Sequence, residues 1–147
     1  MGTVASCEEG QYRLDIRRAF KGRQGGVLGT PFIMGSSRDD AQRECACDAF
    51  EDLLALTMVS ARWWNPAEVA DFGRRRGFTG STIGWDGEAA RERVESIARI
   101  SCDQEVLLVC TCAPLRCHGE SVARHADFER KWRAARVDLL ACVPCDP

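Results

Sequence analysis

The chain has 147 residues, enough for one domain with one sizeable core. Its 45% hydrophobic and 29% charged residues are those of a globular protein, and a formal net charge of −2 supplies no global attraction to nucleic acid. No apolar run approaches the roughly 20 residues of a membrane helix, and the small, acidic stretch Met1 to Gly10 lacks the basic and apolar regions of a signal peptide. A cytoplasmic protein with no membrane partner is therefore expected, the nucleus being the other open compartment. Nine cysteines in a chain without a secretion signal read as reduced thiols. Cys45, Cys47, Cys102 and Cys142 fit apolar patterns and read as small core residues.

Residues 1–11 read as a flexible tail, 12–142 as a single α/β domain and 143–147 as a second tail. Tyr12, Leu14 and Ile16 alternate with Arg13, Asp15 and Arg17, the period of a half-buried strand. A glycine-rich loop follows, with Gly22, Gly25, Gly26, Gly29 and Gly35 around Pro31. Ser37, with Asp40 three residues on, predicts the start of a helix. Along that helix Cys45, Ala49 and Leu53, and Ala46, Phe50 and Leu54, recur every four residues.

Asn65 and Pro66 predict the N-cap and first position of a short helix that Gly73 or Gly77 would end. The remainder to Gly87 is rich in glycine and reads as a loop or lid, part of an insertion at about 62–87. Arg74, Arg75 and Arg76 read as a solvated helix end, and Trp63, Trp64 and Trp85 as packing within the insertion. Asp86 can cap a helix whose Ala90, Val94, Ile97 and Ala98 share a face, before a turn at Ser101 to Gln104. Val106 to Cys110 is a continuous apolar run, the pattern of a strand covered on both faces. A last helix is predicted from about Glu120 to Arg136 with Trp132 in the core, and "VDLLACV" as a final edge strand. This order predicts an α/β fold: a small Rossmann-like three-layer domain with a mainly parallel sheet.

The chemistry-bearing stretch is "VCTCAPLRCHGE", where strand gives way to helix. Ligands in open parallel sheets sit beyond the carboxyl ends of strands. The first N–H groups of a helix are unpaired and electropositive, which suits a phosphate or carboxylate. Cys117 at that point would be favoured as a thiolate, and His118 would donate a proton or hydrogen bond. Arg116 would add positive charge, and Gly119 would allow close approach of a ligand. His125 follows His118 by seven positions and would share its helix face. Three readings compete. One is a site for a small anion of nucleotide type. Another is zinc held by Cys110, Cys112, Cys117 and His118, which the C-x-x-C of Cys142 and Cys145 near the end could complete from a distance. In the third, Cys110 and Cys112 fill the core and His118 only caps the helix.

Cys110, Cys112, Pro114, Cys117, His118, Gly119 and Glu120 together resemble the C-x-C-x-P-x-x-C-H-G signature of the domain-of-unknown-function 4326 family. A second family element, resembling L-G-N-P-F after a strand ending in arginines, has its counterpart in Leu28, Gly29, Thr30, Pro31 and Phe32 after "LDIRR". Thr30 stands where the element has Asn. The resemblance covers roughly Tyr12 to Arg133. It implies a compact Rossmann-like fold related to nucleotide-handling domains, and it brings the two motif loops to one edge of the sheet.

The reading is an uncharacterised domain that binds a phosphorylated small molecule, a nucleotide or nucleoside derivative, with hydrolase or transferase activity left open. Cys117, His118 and Glu120 are the expected catalytic residues. Arg17, Arg18, Gly29, Thr30, Cys112, Arg116, Gly119 and Ser121 are the expected ligand contacts. No cofactor is expected, zinc being the runner-up. The alternative is a non-catalytic zinc-binding or nucleic-acid-binding module, nucleic acid being the less favoured partner.

Overall fold

The computed structural model describes residues 4–8, 11–17, 26–34, 39–109 and 117–142. Strand β1 (Val4–Glu8) pairs antiparallel with β2 (Gln11–Asp15), so the stretch expected as a tail contributes an edge strand. After the glycine loop comes β3 (Phe32–Ile33), followed by helix α1 (Asp40–Val59). Asp39 caps α1, its Oδ1 accepting from the Gln42 N–H at 3.1 Å. The cap lies two residues beyond the predicted Ser37, which falls outside the described residues.

Strand β4 (Trp63–Trp64) precedes α2 (Pro66–Arg74), whose start is the predicted one. The Asn65 side chain accepts from the Glu68 N–H and the Glu68 carboxylate accepts from the Asn65 N–H, a reciprocal capping box. Gly77, at φ +87°, makes the turn after it. Strands β5 (Ser81–Thr82) and β6 (Trp85–Asp86) lead into α3 (Gly87–Ile100), capped by Asp86 as predicted. Ala90, Val94, Ile97 and Ala98 are all buried, so the helical period located this face correctly. A turn then reaches β7 (Glu105–Val109), which runs parallel to β2. The last element is α4 (Gly119–Cys142).

The predicted fold class needs correction. The sheets are a three-stranded β1-β2-β7 and the two-stranded pairs β3-β5 and β4-β6. Among the described residues three of these four ladders are antiparallel, and β2-β7 is the parallel one. A mainly parallel sheet, and with it a Rossmann-like three-layer domain, is therefore excluded. The physical reason lies in residues 62–87. They do not hang outside the domain as a lid. β5 pairs with β3, and β6 with β4, while Trp64, Val69, Phe78 and Trp85 join the core formed by Phe50, Leu53, Leu54 and Val94. "VDLLAC" is also corrected: it continues α4 rather than forming an edge strand.

The core centres on α1. Phe50 packs edge-on against Trp85, with ring centroids 5.7 Å apart. The Trp85 indole N–H donates to Thr57 Oγ at 3.0 Å, and Thr57 donates in turn to the Leu53 carbonyl at 2.7 Å. Both buried polar groups are thereby satisfied within the apolar interior. No described helix is long and apolar enough to cross a membrane.

Candidate functional site

The junction singled out by the sequence folds around Ile16. This residue leaves the end of β2 and is buried. Its carbonyl lies 3.1 Å from His118 Nε2. A carbonyl only accepts, so Nε2 carries the ring proton, and in the neutral imidazole Nδ1 is left as acceptor. Nδ1 faces Cys117 Sγ at 3.9 Å. The Gly119 N–H donates to the same sulfur at 3.3 Å, at the first turn of α4. Phe50 stacks edge-on to the imidazole with centroids 5.1 Å apart. A half-buried thiol is thus placed between an imidazole base and a helix-start N–H, with the base itself held by a third group. That arrangement can support a thiolate nucleophile.

His118 is only 5% exposed, yet it is not sealed in. It borders a cavity of about 40 Å³ that Thr30, Phe32, Met34, Arg43, Ala46 and Cys47 also line. The volume suits a few waters or one tetrahedral oxyanion rather than a base and sugar. The two motif loops meet here, Thr30 from one and His118 from the other. Thr30 Oγ1 shapes its own loop by accepting from the Phe32 N–H at 3.3 Å. Arg43, on the second turn of α1, was not singled out by the sequence. Its Nε is buried with no hydrogen-bond partner among the described residues. A buried guanidinium nitrogen without a partner is costly, and Arg43 also lines the cavity. Charge pattern alone could not reveal it, because Arg43 is one of many arginines in the sequence.

Several predicted contacts lie elsewhere. Glu120 is exposed and does not border the cavity. Ser121 is buried, with its hydroxyl directed at Glu51 of α1. Burial pushes the Glu51 carboxyl up, but the hydrogen bonds of Ser121 and Arg124 and the charges of Arg124 and His125 outweigh it and hold the group below its ordinary value. Arg124 Nη1 is 2.7 Å and His125 Nε2 3.4 Å from Glu51 Oε1, so His125 turns to this cluster. Gly119 packs closely on β2's exit: a Cβ there would stand 3.0 Å from Ile16 Cδ1. Gly29 is buried and Arg17 half-buried, and neither borders the cavity. Arg18, Cys110, Cys112, Arg116 and Cys145 lie outside the described residues.

No group of three metal-ligating side chains occurs among the described residues. Arg74 and Arg75 pair with Asp71, and Arg76 with Asp52, so the arginine run is neutralised locally. Trp64 and Trp85 are core residues, as packing predicts, whereas Trp63 is exposed. Trp132 is not core. It is 54% exposed and borders, with Met58, Val59 and Phe128, an open cavity of about 520 Å³ between α1 and α4.

A CHG turn at the start of a helix, packed against a β2 exit and an LGTPF loop, defines a small thiol-containing domain with a small, mostly apolar cavity between two motif loops. The profile of one family matches residues 5–128, and the chain belongs to that family, domain of unknown function DUF4326. No curated protein and no solved structure matches the chain.

Proposed function

We propose that the cavity between the Thr30 loop and His118 binds the phosphate of a phosphorylated small molecule of the nucleotide or nucleoside class. Arg43 carries this reading. A guanidinium nitrogen buried without a partner is costly, and an oxyanion both satisfies it and matches its geometry. The Thr30 hydroxyl lies on the same cavity and supplies a further polar contact. The nucleoside portion is larger than this cavity and would lie outside it.

Cys117, beside His118 but not itself lining the cavity, is the proposed nucleophile: its sulfur bonds to an electrophilic centre in the part of the ligand outside the cavity, the leaving group departs with the electron pair of the broken bond, and water or an acceptor then displaces the sulfur. His118 Nδ1 takes its proton, Ile16 holds the ring, and the Gly119 N–H stabilises the negative sulfur. This replaces the notion of His118 as a proton donor to the ligand, since its Nε2 proton is engaged by the Ile16 carbonyl.

Calorimetric titration with inorganic phosphate and with nucleoside monophosphates tests the reading in wild type, R43Q and C117S. R43Q should weaken phosphate binding at least about tenfold, the scale of one charged hydrogen bond. C117S should bind as wild type and lose turnover. Equal affinity in R43Q and wild type removes the proposed anion site. One zinc per chain by elemental analysis would favour the metal-binding alternative.

A further inference from the structure

Most arginines of this protein with described side chains are neutralised by a nearby acid. Arg62 sits on Glu68, Arg91 on Glu95, Arg124 on Glu51 and Arg133 on Glu129. Arg43, Arg93 and Arg99 differ. None of them makes an ion pair or side-chain hydrogen bond among the described residues. All three border cavities on the Gly26–Thr30 loop. Arg43 shares one cavity with Thr30. Arg93 and Arg99, with Ser96 between them, line a second concavity of about 360 Å³ that Val27 also lines.

Arg93, Ser96 and Arg99 are spaced three residues apart on α3, so they fall along one face. Glu92 lines the same concavity and offsets part of the charge. The sequence leading into the loop, 18–25, contains Arg18, Lys21 and Arg23 and no acid. The loop itself is narrow. The Gly29 N–H donates to the Gly26 carbonyl at 3.1 Å, closing a turn whose ends are under about 7 Å apart. Guanidinium groups without a described acid therefore line two cavities that touch this loop, one at Val27 and one at Thr30.

We propose that the α3 concavity is a second phosphate subsite, so that the domain takes a compact ligand with two phosphate groups, one in each cavity that touches the Gly26–Thr30 turn. The proposal rests on the reading of the Arg43 cavity as the first phosphate site. Two arginines and a serine hydroxyl match phosphate oxygens, and a fork of N–H donors suits them better than a single carboxylate. The overall charge of −2 disfavours a long polyanion, which points to a small bisphosphate rather than a nucleic-acid strand.

The test compares hexyl phosphate with the bisphosphate of a linear six-carbon diol, titrated into wild type, R43Q and the double variant R93Q/R99Q. Arg93 is half-buried and Arg99 exposed, and neither holds a structural partner, so melting of the double variant should match wild type. Wild type should bind the bisphosphate at least roughly tenfold tighter than hexyl phosphate, the gain expected when a second contact becomes intramolecular. R93Q/R99Q should lose that gain and keep wild-type affinity for hexyl phosphate, whereas R43Q should lose hexyl phosphate itself. A wild type without preference for the bisphosphate, or a double variant that retains it, overturns the proposal. If R43Q binds hexyl phosphate normally and R93Q/R99Q does not, the Arg43 reading fails and the α3 subsite survives. Tight, strongly salt-dependent binding of a single-stranded oligonucleotide with no bisphosphate preference would replace the bisphosphate by nucleic acid.

Discussion

Arg43 has no compensating acid among the described residues. If its purpose is a ligand, removing it should help the empty protein. R43M is expected to raise the thermal midpoint in phosphate-free buffer by the equivalent of about 1 kcal/mol, and to lose stabilisation by added phosphate. A lower midpoint in both conditions would make Arg43 structural. Cys117 and His118 give a second prediction at this scale. Iodoacetamide should alkylate half-buried Cys117 faster at neutral pH than the more exposed Cys102, because only Cys117 has both an imidazole and a helix-start N–H at its sulfur. H118Q should reverse that order, read by mass spectrometry of the modified peptides. Glu51 gives a third. Its carboxyl lies below the ordinary 4.5 in the folded state, so the ionised group stabilises the fold at higher pH, and that stability is lost as pH falls through the folded-state value. E51Q should therefore be less stable than wild type at neutral pH, and the gap should close under acid conditions, measured by thermal melts across pH.

Among the elements, the caps at Asn65 and Asp86 and the buried face of α3 were readable because each depends on local chemistry at fixed spacing. The end of α4, by contrast, was misread as a strand. No glycine or proline stands between Gly119 and Pro144, so nothing stops the helix before residue 142. The apolar run "VDLLACV" mimics a strand only when taken alone. The two-residue strands β3 to β6 carry no period, and nothing local announces their pairing. Gly87 shows what that pairing demands. A Cβ on it would stand 2.4 Å from the Arg62 carbonyl oxygen, which in turn accepts the Gly87 N–H at 2.9 Å. G87A should destabilise the protein by about 2 kcal/mol through backbone displacement, seen as a lower denaturation midpoint in urea.

For the whole molecule, the segment 62–87 determines the architecture. Trp64, Trp85 and Phe78 extend the core around α1, and β5 anchors the Phe32 end of the Thr30 loop. The loop that borders both proposed phosphate sites is therefore fixed by an element that the sequence presents as an insertion. Deleting residues 1–9 provides a test of the same kind. A tail could be removed without effect, but loss of β1 strips the antiparallel partner from β2. Since Ile16, just past β2, holds His118, the truncated protein should melt lower and alkylate Cys117 more slowly.

Family membership, the buried face of α3, the caps at Asn65 and Asp86 and the location of the CHG junction followed from the order of residues, because motif identity, periodicity and capping act over a few positions along the chain. Partner choice between strands, the absence of a mainly parallel sheet, the turning of Ser121 toward Glu51 and the isolation of Arg43 did not. Each depends on which distant segments share the interior. Burial and ion pairing are set by neighbours in space, and for an arginine such as Arg43 the decisive fact is that no described acid reaches it.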